Sequence, residues 1–207
     1  MLELFLSAFV TLFVVIDPPG CAPIYAGLTS GAAPAARRNM AIRAVFIAGL
    51  ILVGFALFGA DLLRAMHIEL DAFRIAGGIM LFLIALDMVF EKRTQRREDR
   101  AEKVRADPDY EDVSVFPMAM PMLAGPGAIA SIMLLEGSAV GIEGTLIVLA
   151  ALAAVLLLTL LALVAASPLM KLFGAKVEAV ITRLLGVLLA ALAAQYVIDG
   201  LRNSFAG

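Results

Sequence analysis

The chain has 207 residues, of which 62% are apolar and only 16% charged, with a mean hydropathy of +0.99. A water-soluble domain carries roughly 45–50% apolar residues and about 25% charged ones, so this chain could not cover its surface with polar groups in water. A net charge of −2 and a pI near 5.4 exclude a strongly basic nucleic-acid binder, while one cysteine and one histidine exclude an internal disulfide and multi-cysteine or histidine-rich metal chemistry. At about 20 residues per span, the length admits six or seven transmembrane helices and no separate soluble domain.

The first apolar segment covers residues 2–28. Met1-Leu2-Glu3 offers no positive start, and no small-residue cleavage site follows, so the segment reads as a retained span rather than a signal. It is interrupted at Asp17-Pro18-Pro19-Gly20. Apolar segments follow at 40–60 and 70–90. Residues 91–112 then hold 15 of the chain's 34 charged residues and read as a solvated loop with room for helix at its edges. Three further segments, 114–135, 143–166 and 178–200, complete six spans, and the first of these is interrupted at Gly125-Pro126-Gly127. The expectation is an all-α membrane protein of one domain: a three-helix repeat over 1–90, a charged cytoplasmic loop over 91–112, and a second repeat over 113–207.

Lysine and arginine set the orientation. Six spans place both termini on one face with Arg64, Arg74 and Arg202, and the other 13 basic residues fall on the opposite face. The termini are therefore expected outside the cytoplasm and the charged loop inside.

The two halves resemble each other. Pro19-Gly20 aligns with Pro126-Gly127, and Arg74-Ile75-Ala76-Gly77 aligns with Arg183-Leu184-Leu185-Gly186. A repeat of three spans must be upside down in its second copy because three is odd. Inverted repeats, each opened by an interrupted helix, are the pattern of secondary transporters whose substrate site lies where two broken helices meet. Proline removes a backbone donor and glycine permits non-helical angles, so a new half-helix is expected to start near Gly20 and near Gly127. In hydrocarbon, irregular backbone survives only where it is buried or lines a cavity. The start of a half-helix carries partial positive charge and can hold a carboxylate. The candidate substrate-binding residues are Asp17, Pro18, Pro19, Gly20, Cys21, Gly125, Pro126, Gly127 and Ala128.

Phe13-Val14-Val15-Ile16-Asp17-Pro18-Pro19-Gly20-Cys21-Ala22-Pro23-Ile24 resembles the Asp-Pro-x-Gly-x-x-Pro signature in the first span of the MarC family. Phe116-Pro117-Met118-Ala119-Met120-Pro121-Met122-Leu123-Ala124-Gly125-Pro126-Gly127-Ala128-Ile129 resembles that family's fourth-span motif. The likeness covers essentially the whole chain. The family is similar to the SnatA-type neutral amino acid transporters within the broader LysE-like transporters. The resemblance implies six spans, a bacterial inner-membrane location, and proton-linked movement of small neutral amino acids such as glycine and alanine.

Ionisable groups inside a membrane are costly and mark function by default. Asp17 has two readings: a cap on the second half-helix, or a cavity-facing carboxylate that carries the coupling proton. The aligned position in the second repeat is Ala124, so an acid is not needed to make the break. Asp87 lies next to the charged loop and is expected to reach the interface. Arg74 and Arg183 are expected to snorkel, His67 to sit on an outer loop, and Met118, Met120, Met122 and Met133 to pack adaptably. Gly186, Ala190 and Ala194 should mark a close helix contact. An outward face rich in small residues is compatible with a homo-oligomer. No catalytic dyad, phosphate loop or metal cluster is recognisable, so neither an enzyme nor a cofactor is expected. The favoured function is a secondary transporter of a small neutral amino acid. The alternatives are an exporter of another small amphipathic or lipid-linked solute, and a non-transporting membrane protein that docks a partner through residues 91–112.

Overall fold

The computed structural model describes residues 1–90, 92–105 and 112–205. Position 91 and positions 106–111 of the charged stretch lie outside the described residues. All regular elements among those described are helical: α1 (Leu2–Ile16), α2 (Pro18–Leu28), α3 (Pro34–Ala65), α4 (Leu70–Val89), α5 (Lys92–Arg105), an irregular wide helix (Ser114–Leu123), α6 (Pro126–Ser138), α7 (Gly141–Val164) and α8 (Ala166–Phe205). Five stretches are long and apolar enough to cross a membrane: Leu2–Leu28, Pro34–Ala65, Leu70–Val89, Gly141–Val164 and Ala179–Phe205. The wide helix and α6, bent by 53° at their junction, make a sixth if counted together. Large apolar side chains such as Phe46, Leu50, Phe58, Leu157, Leu161 and Leu184 point away from the protein, as a chain solvated by lipid requires.

Local chemistry explains the element ends. Asp17 adopts a left-handed backbone (φ 60°, ψ 65°), which terminates α1 while Pro18 and Pro19 open α2 in the first helical turn, where a missing amide costs nothing. His67 takes a similar left-handed turn on an exposed corner between α3 and α4. In the wide helix, Phe116 (φ −125°, ψ 131°) and Met120 (φ −131°, ψ 127°) are extended because each precedes a proline, whose ring disfavours helical angles in its neighbour. The chain recovers by five-residue turns: the Met118 amide donates to the Val113 carbonyl at 3.2 Å and the Ala124 amide to the Ala119 carbonyl at 2.9 Å.

The most extensive helix pairing is between α4 and α8, which run antiparallel. A side chain at Gly78 would meet the Ala193 carbonyl, one at Gly186 would meet Met88 and the Ala85 carbonyl, and one at Gly200 would meet the Asp71 carbonyl. Small residues let the two backbones approach, the usual way to bind helices when lipid removes the hydrophobic drive. The contact stripe differs from the expected one. Gly186 takes part, but the buried positions on α8 continue through Leu189, Ala193 and Gly200, while Ala194 is exposed. A spacing of strictly four residues drifts around a helix of 3.6 residues per turn, whereas alternating three and four stays on one face.

The charged stretch also differs from expectation. Lys92–Arg105 is a continuous helix rather than a solvated loop, and α5 packs against α2, α4 and the wide helix. Arg97 on it is buried. Near its other end, the Ser114 amide donates to Asp112 at 2.9 Å and Arg43 of α3 pairs with Asp112 at 2.6 Å. Partial burial alone would raise the Asp112 carboxyl, but hydrogen bonding from Ser114 and the Arg43 charge hold it below the usual range.

Gly78→Val should lower the thermal stability of the detergent-solubilised protein, because the new Cβ would stand 2.8 Å from the Ala193 carbonyl oxygen. Overpacking of this kind costs about 1–3 kcal/mol. Gly54→Ala, with nothing within 4 Å of the added carbon, should be neutral or slightly stabilising. Equal unfolding temperatures for the two variants would contradict the close α4–α8 seam.

Candidate functional site

The site is built around two helix starts, and they are made differently. At the first, Asp17 caps α2: the Gly20 amide donates to its Oδ1 at 3.1 Å. Its other oxygen, Oδ2, accepts from Arg97 Nη1 at 2.9 Å, across 80 positions of sequence. Both side chains are buried, with 2% and 8% of their surfaces exposed. Each carboxylate oxygen is therefore engaged, one by the backbone and one by a guanidinium. This contact joins the membrane-embedded break to the charged helix α5.

The surroundings of that cap are closed. Asp17, Pro18, Gly20 and Cys21 are buried and Pro19 is half-buried. The Cys21 thiol turns back toward the Ile16 carbonyl at 3.5 Å. A side chain added at Gly20 would come within 2.3 Å of the Asp17 carboxylate, so only glycine leaves room for the cap.

The second start has no side-chain cap. α6 begins at Pro126, and Gly125 before it is extended (φ −76°, ψ 172°). Gly125 is required by crowding, since a Cβ there would stand 2.4 Å from the Pro121 carbonyl oxygen. Gly127 lies against α4 and α1, its missing side chain replaced by Ile84, Val15 and Leu81. Beside this start lies a cavity of about 460 Å³. Gly125, Pro126, Gly127 and Ala128 line it, facing Ile84 and Asp87 of α4 and Arg96 and Arg97 of α5. Arg96 donates to Asp87 Oδ2 across the cavity rim. None of residues 17–21 is among the described lining, although Val15 is, and Arg97, itself a lining residue, is the one that pairs with Asp17.

The nine candidate residues thus divide. The four of the second break share one cavity; the five of the first break, all buried except the half-buried Pro19, lie at the capped start of α2 and are not among the described lining. Asp87, expected at the interface, is a cavity residue with 22% of its side chain exposed. Arg74, expected to snorkel, pairs with Asp71 at 2.7 Å, and Asn203 also donates to that carboxylate. Met118, Met122 and Met133 are buried packing residues, whereas Met120 is exposed. Sequence reasoning did not select Arg96 and Arg97. The signal that points to them is Asp17 itself: a carboxylate within an apolar span calls for a cation, because an unpaired buried charge is very costly. Residues 92–105 are the densest supply of cations in the chain.

Removing one partner of a buried pair leaves the other uncompensated and costs about 3–5 kcal/mol. Arg97→Ala should therefore lower thermal stability strongly. The double variant Asp17→Asn with Arg97→Ala should recover part of that loss, since the asparagine oxygen still caps Gly20 and no charge remains. Strictly additive losses, measured by thermal unfolding in detergent, would show that the two residues do not interact.

The chain matches the MarC family integral membrane protein model over residues 2–205. It is 34% identical to a UPF0056 membrane protein of Methanocaldococcus jannaschii, with 98% of each chain covered. It is 33% identical to the UPF0056 membrane protein YvbG of Bacillus subtilis, over 99% of this chain and 97% of that one. It is also 31% identical to the UPF0056 inner membrane protein YhgN of Escherichia coli, over 95% of both. No solved structure matches it. With a family match from end to end and relatives of the same length, this multi-pass membrane chain belongs to the MarC family of integral membrane proteins.

Proposed function

We propose that the protein is a secondary transporter of small neutral amino acids, of glycine and alanine size, and that the second break holds the substrate. The observation that carries this reading is the contrast between the two helix starts. α2 begins beneath its own carboxylate, whereas α6 begins without a side-chain cap beside a cavity of about 460 Å³. A helix start attracts anions through its unpaired amides and the aligned peptide dipoles. A substrate carboxylate at Gly127 and Ala128 would take the position there that Asp17 takes at α2.

The inverted repeat belongs to the same reading. α4 and α8, the third spans of the two halves, run antiparallel, as counterparts in inverted copies must. The pairing of α1 with α7 has its counterpart in the pairing of the wide helix with α3, and α2 with α8 has its counterpart in α6 with α4. Support for an inner-membrane setting with both termini periplasmic comes from the asymmetry of lysine and arginine, which would put α5 in the cytoplasm. α5 would then cover the inward mouth of the cavity.

Proton coupling fits through Asp17. A proton on Oδ2 would release Arg97, so protonation and the loosening of α5 become one event. Asp17→Asn, which caps but cannot titrate, should keep substrate binding and lose the acceleration of flux by a pH gradient. Unchanged gradient-driven flux would leave Asp17 with the capping role alone.

Flux through purified protein in proteoliposomes tests the whole reading. Saturable uptake of glycine or alanine, faster under an imposed pH gradient, is expected; no saturable uptake of either would contradict it. Gly127→Val should abolish binding and leave the fold intact, because the added bulk meets the flexible tip of Ile84 rather than backbone. Gly20→Val should instead lower stability, because it strikes the cap. Parental affinity for glycine in Gly127→Val would move the substrate elsewhere.

A further inference from the structure

We infer that Asp87 receives the substrate's ammonium group and that Arg96 is the counter-ion it gives up in exchange. This rests on the transport reading above and adds the residue that would distinguish an amino acid from a simple carboxylate.

Three observations converge on Asp87. Its side chain is only 22% exposed and stands on a cavity wall that is otherwise apolar along α4, where Met80, Leu83 and Ile84 are its lining neighbours. A carboxylate in that setting needs a cation. The cation it has is Arg96, whose own side chain is 68% exposed, so the pair is half in solvent and contributes little to holding the fold. The neighbouring pair is of a different kind. Arg97 and Asp17 are both buried, and Asp17 also caps a helix, so exchanging that partner would disturb the break itself. Of the two arginines among the described lining residues, Arg96 is the one that can leave cheaply.

The third observation is position. Gly127 at the start of α6 rests on Ile84. Asp87 is three residues further along α4, on the same face and about one helical pitch (~5.4 Å) or less away. The carboxylate expected at the α6 start and an ammonium expected at Asp87 thus face one cavity from neighbouring parts of its wall, as the two ends of a small zwitterion require. A larger side chain on the substrate would have to enter the apolar wall between them. The ligand class is a small α-amino acid with both charges present, and a des-amino acid would satisfy only one of the two ends.

Equilibrium binding to the purified full-length protein in lipid nanodiscs tests this, with radiolabelled glycine and alanine as ligands and propionate as the competitor lacking the ammonium. Asp87→Asn should weaken glycine and alanine binding by about tenfold or more, the scale of a lost charge-assisted hydrogen bond, while leaving propionate competition unchanged. Asp87→Glu, which keeps the charge, should bind glycine within a few-fold of the parent. Arg96→Gln should bind glycine as tightly as the parent or more tightly, because it removes the competing cation. Parental glycine affinity in Asp87→Asn would overturn the assignment and leave the transport reading standing. A parent protein that binds neither glycine nor alanine would overturn both together.

Discussion

A buried ion pair between Asp17 and Arg97 is the constraint on which the site depends. Asp17 stands inside the first span, where an unpaired charge is intolerable, and its backbone conformation ends α1. One of its oxygens starts α2 and the other draws in a cation from a helix 80 residues away. The sharp turn, the restart of the helix and the docking of α5 are thus three consequences of one side chain. Gly20 follows from the same requirement, since any Cβ there would occupy the carboxylate's position.

Because the first helix start satisfies itself, the two breaks are chemically unequal. α2 is closed by the protein's own acid; α6 is open to a cavity and carries no such group. The second break is made without an acid, by prolines that force extended backbone at Phe116 and Met120 and by a glycine that clears the Pro121 carbonyl. In the transport reading proposed above, an internal carboxylate serves one helix start and a ligand the other, so that each half of the molecule has a separate task. On the proposed reading, α5 links those tasks, because its adjacent arginines face the capping acid on one side and the cavity acid on the other.

Much of this organisation was legible before any coordinates. Hydropathy located the five stretches long and apolar enough to cross a membrane and the bent pair that would make a sixth, and the Pro-Gly pairs fall where α2 and α6 start, because proline and glycine act on the backbone directly and need no distant partner. What periodicity could not give was the fate of residues 91–112. A run with 15 charges has no apolar stripe to announce a packed face, so nothing local marks Arg97 as buried; only the demand of Asp17 for a cation does so. The α8 stripe was misplaced for a related reason. Gly186, Ala190 and Ala194 are all small, but which small residues face α4 depends on the helix's rotation against its neighbour, and Ala194 is turned outward. The capping role of Asp17 was one of two readings in the sequence, and the cavity at Gly125, Pro126, Gly127 and Ala128 took its shape only with α4 and α5 in place.

The central claim is that a small amino acid occupies the second break, against the start of α6. Protection of a single engineered thiol tests it most directly. In a Cys21→Ser background, Pro126→Cys places a reactive group at an exposed position of the cavity lining, and its rate of modification by a small thiol reagent can be followed with and without glycine. The account expects glycine to slow modification in a saturable manner, while a cysteine on the lipid-facing surface, such as Leu184→Cys, is unaffected. Equal rates at Pro126→Cys with and without saturating glycine, in protein that transports glycine, would contradict it.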